Sequence, residues 1–473
     1  MKIARPLLKN FFSLSLTELL IRLSNSLLSV YIARTLGSRN FGQLGFAGAF
    51  ITFFTIFSDF GLTGLGIREI AKEKKNLPFY TTNILAIQLV LAVVLFLFLT
   101  FLLYFLPLDQ QTRTVTFLFG FTLFPTALNL SYLFRALEKM EYLTLITFFS
   151  RLGYLLSGFI LIAWLRDIRA IPLILTISKT ITALASIILL KKYFRLRFQN
   201  LDWQWIKNLA RRGRPFLISA LAIQTYYNLN PILLQFLQNS TMVGFYNAAY
   251  KLIILLNIVP RFFQAALLPT LTRVLINQPP RAEKLLQKTS KLFFLLGLPL
   301  AVGGTLTANS IINLVYGSSY QPSRTVLQIL IWSVFFVYAN VNFGVLLLAG
   351  NKEKIYARIS THGALINLIS ALILIPHGGI NGAALAVLLT EAYICFSYYL
   401  AARKIIPLSF FPQKVKILLA TTIMALIILV FPLPFLLLLP LAAAAYFLSL
   451  LLLRAFTAED RTILLNLWQQ RKK

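Results

Sequence analysis

Acid is what this chain has least of. Only 14 of its 473 residues are Asp or Glu, against 45 Lys and Arg, which leaves a formal net charge of +31. Charged residues of both signs make up 12% of the sequence, about half the ~25% of a soluble domain. Cysteine is almost missing. Cys395 stands alone, which excludes an internal disulfide and any cluster of thiolate metal ligands. The two histidines, His362 and His377, have no ligand-like spacing to other candidates, so no metal, cofactor or catalytic residue is expected. Nor is there room for a separate soluble domain, because no stretch outside the apolar runs is long enough.

What fills the chain is apolar: 58% of residues are hydrophobic, gathered in runs of the length needed to cross a bilayer. The sequence predicts an all-α integral membrane protein. Fourteen spans are expected near 10–35, 42–66, 80–106, 115–136, 143–165, 170–190, 214–237, 242–271, 292–315, 323–348, 356–376, 380–402, 414–432 and 434–453. The first run is too long for a cleaved leader and lacks a small-residue cleavage site, so it is expected to stay as a span.

A net charge of +31 would suit a nucleic-acid binder, but its placement does not. With fourteen spans, 34 of the basic residues fall in one set of alternate loops and termini and 6 in the other. That bias is what the positive-inside rule demands, and it puts both termini in the cytoplasm. No nucleic acid partner is expected. The basic stretch "KKYFRLRFQNLDWQWIKNLARRGR" (191–214) divides the first six spans from the rest, and its Trp203, Trp205 and Ile206 among cations fit a segment lying along the cytoplasmic interface. The expected organisation is an N-terminal lobe (1–190), a basic linker (191–213), a C-terminal lobe (214–403), and two last helices with a basic tail (404–473). Weak internal echoes support duplication: "LGSRNFGQLGFA" (36–47) against "LQNSTMVGFYNA" (237–248), and "GFILIA" (158–163) against "ALILIP" (371–376). Repeats six helices apart start on the same side, so the two lobes are expected to be parallel copies with a site where they meet.

Eight charges lie inside the predicted spans: Glu18, Arg22, Asp59, Arg151, Lys179, Lys251, Arg261 and Glu391. A carboxylate or ammonium at mid-membrane costs about 2.5–3.5 kcal/mol on insertion scales, so such residues face partners or water-filled paths. Ser15, Glu18, Arg22, Asn25 and Ser29 recur at spacings of three and four, forming one polar stripe on the first helix. Gln224, Tyr227 and Asn228 add polar groups on the seventh. Several of these admit plain structural roles: Glu18 with Arg22 as an intrahelical pair, Asp59 as a cap at a helix break near Gly61, Arg151 as a snorkelling surface residue. The total is more telling. Five bases against three acids leave a positive surplus that internal pairing cannot cancel and a bound anion can. On this reading Arg22, Arg151, Lys179, Lys251 and Arg261 form a cationic substrate site. Glu18, Asp59 and Glu391 support it or bind a coupling ion, and Asn25, Gln224, Tyr227 and Asn228 line the cavity. The expected activity is transport of an amphipathic or polar anion. A multidrug-type cation antiporter should favour an acidic cavity. A membrane glycosyltransferase should carry acids in sizeable outer loops, where only Asp109 and Asp167 are found.

The stretch "YIARTLGSRNFGQLGFAGAFITFFTIFSDFGLTGLGIREIAKEKK" (31–75), with Ala33, Arg34, Leu36-Gly37, Phe41-Gly42, Asp59, Gly61-Leu62 and Arg68-Glu69, resembles the polysaccharide biosynthesis, or lipid-linked oligosaccharide flippase, family. Echoes continue through "VGFYNAAYKL" (243–252), "LLLAGNKEKIYARI" (346–359) and "INLISALILIPHGGINGAALA" (366–386). The resemblance implies a two-lobed bundle that moves undecaprenyl-diphosphate-linked glycans to the outer leaflet of the bacterial cytoplasmic membrane by alternating access. It implies membrane lipids, and a polysaccharide polymerase with chain-length machinery, as partners. Fourteen helices instead of twelve resemble the peptidoglycan-precursor (lipid II) flippase of the same superfamily, which stands as the alternative.

Overall fold

The fold was analysed in a computed structural model, which describes residues 4–194, 199, 201–407 and 413–455. The described residues are 89% helical, with no strand among them. A bilayer dictates this: its core offers no water to pair with backbone groups, so each segment must satisfy its own. Ten helical stretches of the described chain are long and apolar enough to cross a membrane. Large apolar side chains lie exposed along the outer faces, among them Leu97, Phe101, Ile160, Leu436 and Leu452, as lipid contact requires. The chain is a multi-pass membrane protein.

It divides into two compact units, Met1–Ala248 with Leu368–Ala383, and Ala249–Asn367 with Ala384–Lys473. The first unit is built on α1 (Ala4–Asp59), which carries the first predicted span and most of the second, whose last residues fall beyond its end, and which is broken only at Gly37, where φ is 79°. Lacking a Cβ, glycine adopts that backbone at little cost. α2 (Leu62–Lys72) follows a sharp break, with Phe60 and Gly61 both left-handed. Then come α3 (Leu77–Phe105), α4 (Gln110–Gly120), α5 (Leu123–Ala127), α6 (Ser131–Ala136), α7 (Met140–Leu165), α8 (Ala170–Phe194) and α9 (Trp203–Leu237). The predicted span 115–136 is thus three short helices in series. α1 packs along α7, α9, α4 and α3, and α7 lies against α8. Two described residues of the predicted interfacial linker contact α3: Gln199 N–H donates to Thr82 Oγ1 and Asp202 N–H to Asn83 Oδ1, each over 2.9 Å. The Trp205 ring lies 5.1 Å from Phe79 and 5.4 Å from Tyr80.

Where α1 meets the start of α10 (Ser240–Leu256), the two sequence echoes touch each other. A Cβ added to Gly42 would fall 1.7 Å from the Ser240 carbonyl oxygen, one on Gly244 would fall 2.0 Å from that of Ser38, and one on Gly45 would fall 1.9 Å from Asn247 Nδ2. Residues 38, 42 and 45 are related to 240, 244 and 247 by one constant offset, one residue longer than the register in which the two sequence echoes align. Gly42 meets the counterpart of Ser38, and Gly244 meets Ser38 itself. Such an exchange is the pattern a two-fold axis imposes, here between two segments of one chain.

The second unit continues α10 and adds α11 (Ile258–Asn277), α12 (Pro279–Tyr316), α13 (Ser323–Ala349), the two ends of α14 (Glu353–Ala402), whose middle, Leu368–Ala383, belongs to the first unit, α15 (Lys414–Val430) and α16 (Phe435–Leu452). α14 is broken at Gly379, near the predicted gap between two spans. α13 packs on α11 and α12, α15 on α12, and α16 on α15. Leu295, Leu298, Ile417, Met424, Tyr446 and Leu450 form the buried core that joins α12 to the last two helices.

Candidate functional site

Charges surrounded by apolar spans are the unusual groups of this molecule. The structure brings two of them together in the first unit. α7 and α8 are joined by a lattice of hydroxyls. Ser150 Oγ lies 2.8 Å from Ser178 Oγ, each serine hydroxyl also reaches the other's carbonyl, over 2.9 and 3.0 Å, and Thr182 Oγ1 donates to Ser150 Oγ over 2.7 Å. These contacts fix the register of the two helices. The next residue on each is a cation, Arg151 on α7 and Lys179 on α8, and the two lie within electrostatic reach of each other. Both side chains are half-buried.

Their remaining contacts are uncharged. Lys179 Nζ donates to Thr126 Oγ1 of α5 over 3.1 Å. The Arg151 guanidinium carbon lies 5.9 Å from the centre of the Tyr154 ring, one turn along α7, in reach of its π face. Among the described residues no carboxylate pairs with either; ion pairs seen elsewhere include those of Asp109, Glu69 and Asp167. Two like charges held side by side in a poorly solvated place repel, and an anion set between them turns that repulsion into attraction.

The other expected site residues are distributed as follows. Glu18 and Arg22 fall on α1, but their side chains lie outside the described residues. Asn25 is exposed on α1, while Gln224, Tyr227 and Asn228 are half-buried on α9, which packs on α1. Asn228 Nδ2 donates to Gln224 Oε1 over 2.6 Å, and the Tyr227 ring stands edge-on to Tyr226. Lys251 and Arg261 belong to the second unit, the first half-buried on α10 and the second exposed on α11, each already in polar or electrostatic contact. Glu391 is buried on α14 and accepts from Asn340 Nδ2 over 3.2 Å.

Asp59 sits at the end of α1, where the chain breaks before α2. Its Oδ1 accepts from the Thr63 N–H over 3.2 Å, from the Thr63 hydroxyl, and from Gln88 Nε2 of α3 over 2.9 Å. The carboxylate serves the unpaired N–H groups at the start of α2, and no described cation lies within ion-pair distance.

Several partners escaped the sequence reading. Thr126, Ser150, Ser178 and Thr182 were not singled out, although the adjacent pairs Ser150-Arg151 and Ser178-Lys179 were visible as hydroxyl-cation repeats. Gln88 was hidden in an apolar run, its lone amide the only cue. Lys291, counted with a cytoplasmic loop, is buried on α12.

Comparison with known proteins agrees with this architecture. The family model for "Polysaccharide biosynthesis protein" matches residues 7–275. A "Putative O-antigen transporter" of Escherichia coli (strain K12) is 24% identical over 368 residues, which is 77% of this chain and 89% of that protein. Among solved structures, the fold is similar to "Lipid II flippase MurJ, inward closed conformation", with TM-score 0.75 and 13% identity, covering 92% of this chain and 97% of that one. It is also similar to an inward-facing "multidrug resistance MATE family transporter of the MOP superfamily", with TM-score 0.66 and 14% identity over 81% and 93% of the two chains. The helical membrane fold and a family match across more than half the sequence place this chain in the polysaccharide biosynthesis protein family.

Proposed function

We propose that the protein is a flippase that carries a polyprenyl-diphosphate-linked oligosaccharide, a polysaccharide or O-antigen repeat unit, across the bacterial cytoplasmic membrane by alternating access. It transports and does no covalent chemistry. The observation that carries this reading is the pair Arg151 and Lys179, two cations on helices locked together by Ser150 and Ser178, within electrostatic reach of each other and with no described carboxylate paired to either. A diphosphate supplies the missing negative charge, and hydrogen bonds between ionised partners contribute about 1.5–3 kcal/mol each. Arg22, Lys251 and Arg261 are further candidate cations for the same anion. Asn25, Gln224, Tyr227 and Asn228 meet sugar hydroxyls, while the polyprenyl tail stays in lipid. Glu18, Asp59 and Glu391 hold cations apart in the empty state or bind a coupling ion. With both termini cytoplasmic, an inside-negative potential favours outward movement of negative charge by about 2.3 kcal/mol per charge per 100 mV.

The test is neutralisation in place. Arg151→Gln and Lys179→Gln, purified and reconstituted with a fluorescent polyprenyl-diphosphate saccharide, should each slow flipping at least tenfold while inserting normally. Wild-type flipping by both variants removes the anion site.

A second reading, transport of the peptidoglycan precursor lipid II, is favoured by the added pair α15–α16 and by the likeness of fold to a lipid II flippase. Presenting lipid II and an O-antigen-type lipid to the same vesicles separates the two.

A further inference from the structure

We propose that a second, uncharged site on the first unit binds a sugar of the transported head, at the end of the bundle opposite the basic loops. This rests on the flippase reading for its physiological ligand. A cleft of about 500 Å³ opens there, within the ~300–1,000 Å³ of small-ligand sites. It is lined by Arg39 of α1, Asp109 ahead of α4, Gln235 and Phe236 of α9, and Asn239 and Thr241 at the start of α10.

The polar groups are held in place by contacts that leave binding capacity over. The Asp109 carboxylate is fixed by Thr112 N–H over 3.2 Å, Thr112 Oγ1 over 2.6 Å and the buried Gln43 Nε2 over 3.0 Å. Arg39 Nη2 approaches it at 3.9 Å, and its side chain is two-thirds exposed (66%), so most of its five N–H donors remain available. Gln235 Oε1 accepts from Ser240 Oγ over 2.9 Å, and Asn239 Oδ1 accepts from the Met242 N–H over 3.1 Å. Both amides therefore keep their NH₂ donors. Phe236, partly exposed and braced edge-on against Phe46 at 5.6 Å, adds a flat apolar face.

That combination selects a class of ligand. Arg39 and Asp109 cancel, so the cleft has no surplus charge to hold a phosphate, unlike the Arg151–Lys179 pair. Fixed donors and acceptors around an aromatic face suit a pyranose, whose hydroxyls both donate and accept and whose C–H face is apolar. Sequence position puts the cleft among the loops poor in Lys and Arg, the side to which a head group is delivered.

The test uses soluble sugars, so that it does not depend on flipping. The full-length protein in nanodiscs is titrated with the methyl glycosides of N-acetylglucosamine, galactose and rhamnose, with saturation-transfer NMR as the readout. At least one should bind saturably. Asn239→Ala, and Thr241→Trp as a cleft-filling variant that leaves Asp109 untouched, should weaken that binding at least tenfold, and millimolar pyrophosphate should not displace the sugar. The proposal is overturned by no binding across the panel, by unchanged binding in both variants, or by displacement with pyrophosphate. Sugar binding that persists in wild-type protein that moves no polyprenyl-diphosphate saccharide would leave this site standing and remove the flippase reading instead.

Discussion

One helix break in the first unit and two prolines in the second leave opposite backbone groups unpaired, and each of these is met by the group it requires. In the first unit the interruption at Phe60–Gly61 starts a new helix, whose first N–H groups lack acceptors. A carboxylate, Asp59, supplies one. In the second unit Pro260 lies in α11 and Pro299 inside α12, and a proline offers no N–H to the carbonyl four residues earlier. Pro260 orphans the Leu256 carbonyl, and the Tyr338 hydroxyl of α13 donates to it over 3.0 Å. Pro299 orphans the Leu295 carbonyl, and the Tyr446 hydroxyl of α16 donates to it over 2.8 Å. Orphan donors call for an anion, orphan acceptors for a neutral hydroxyl. The charged closure at Asp59 and the neutral closures by Tyr338 and Tyr446 follow from which backbone group is left over. In lipid neither can be left to water.

Breaking the charged closure should cost most. Asp59→Ala strands the Thr63 N–H and the Gln88 amide together, about 1–3 kcal/mol for each buried donor, less whatever is regained by removing a half-buried carboxylate. A net loss of about 2–3 kcal/mol is expected, read as a lower melting temperature of the purified protein by circular dichroism. Asp59→Asn, which keeps a carbonyl acceptor, should recover part of it. If Ala and Asn melt alike at the wild-type temperature, the cap is idle.

The neutral closures should cost less. Tyr446→Phe and Tyr338→Phe each remove one donor from a carbonyl with no other covalently fixed partner, about 1–2 kcal/mol. Cys395, the single thiol of the chain, lies partly buried on α14, and its labelling on heating reports unfolding of the second unit without an added probe.

A double substitution sharpens the comparison further. Pro299→Ala restores the N–H that Leu295 lacks, so Tyr446→Phe made in that background should cost about 0.5 kcal/mol or less, a coupling of roughly 1 kcal/mol in the cycle. Equal cost of Tyr446→Phe with and without the proline would mean that the tyrosine acts by packing alone.

Sequence alone exposed one side of this comparison. Asp59 stood out because a charge in an apolar run is conspicuous, and Gly61 beside it marked the break. The tyrosine closures were illegible, because Tyr338 and Tyr446 are 82 and 151 residues from the carbonyls they serve and a tyrosine in a membrane helix is unremarkable. The same division holds at the candidate site. Arg151 and Lys179 could be picked from charge, and the helical, multi-pass architecture from hydropathy and the bias of basic loops. Their adjacency could not, since it depends on how Ser150 and Ser178 interlock two helices whose periodicity says nothing of their partner. Nor could composition reveal that the predicted span 115–136 is three helical pieces, which places Thr126 of α5 beside Lys179.

The smallest expected effect tests how the Asp59 closure divides its work. Thr63 donates twice, through its backbone N–H and through its hydroxyl, but only the first is an orphan of the helix. Thr63→Val keeps the N–H, the branched shape and the left-handed turn before it, and removes the hydroxyl alone. If the carboxylate is held chiefly by the start of α2 and by Gln88, the loss should be about 0.5–1 kcal/mol, a lone neutral donor's share, well below that of Asp59→Ala. A loss as large as that of Asp59→Ala would make the hydroxyl the principal partner, and the parallel with the tyrosines would then be one of hydroxyls in both units instead of opposite charges.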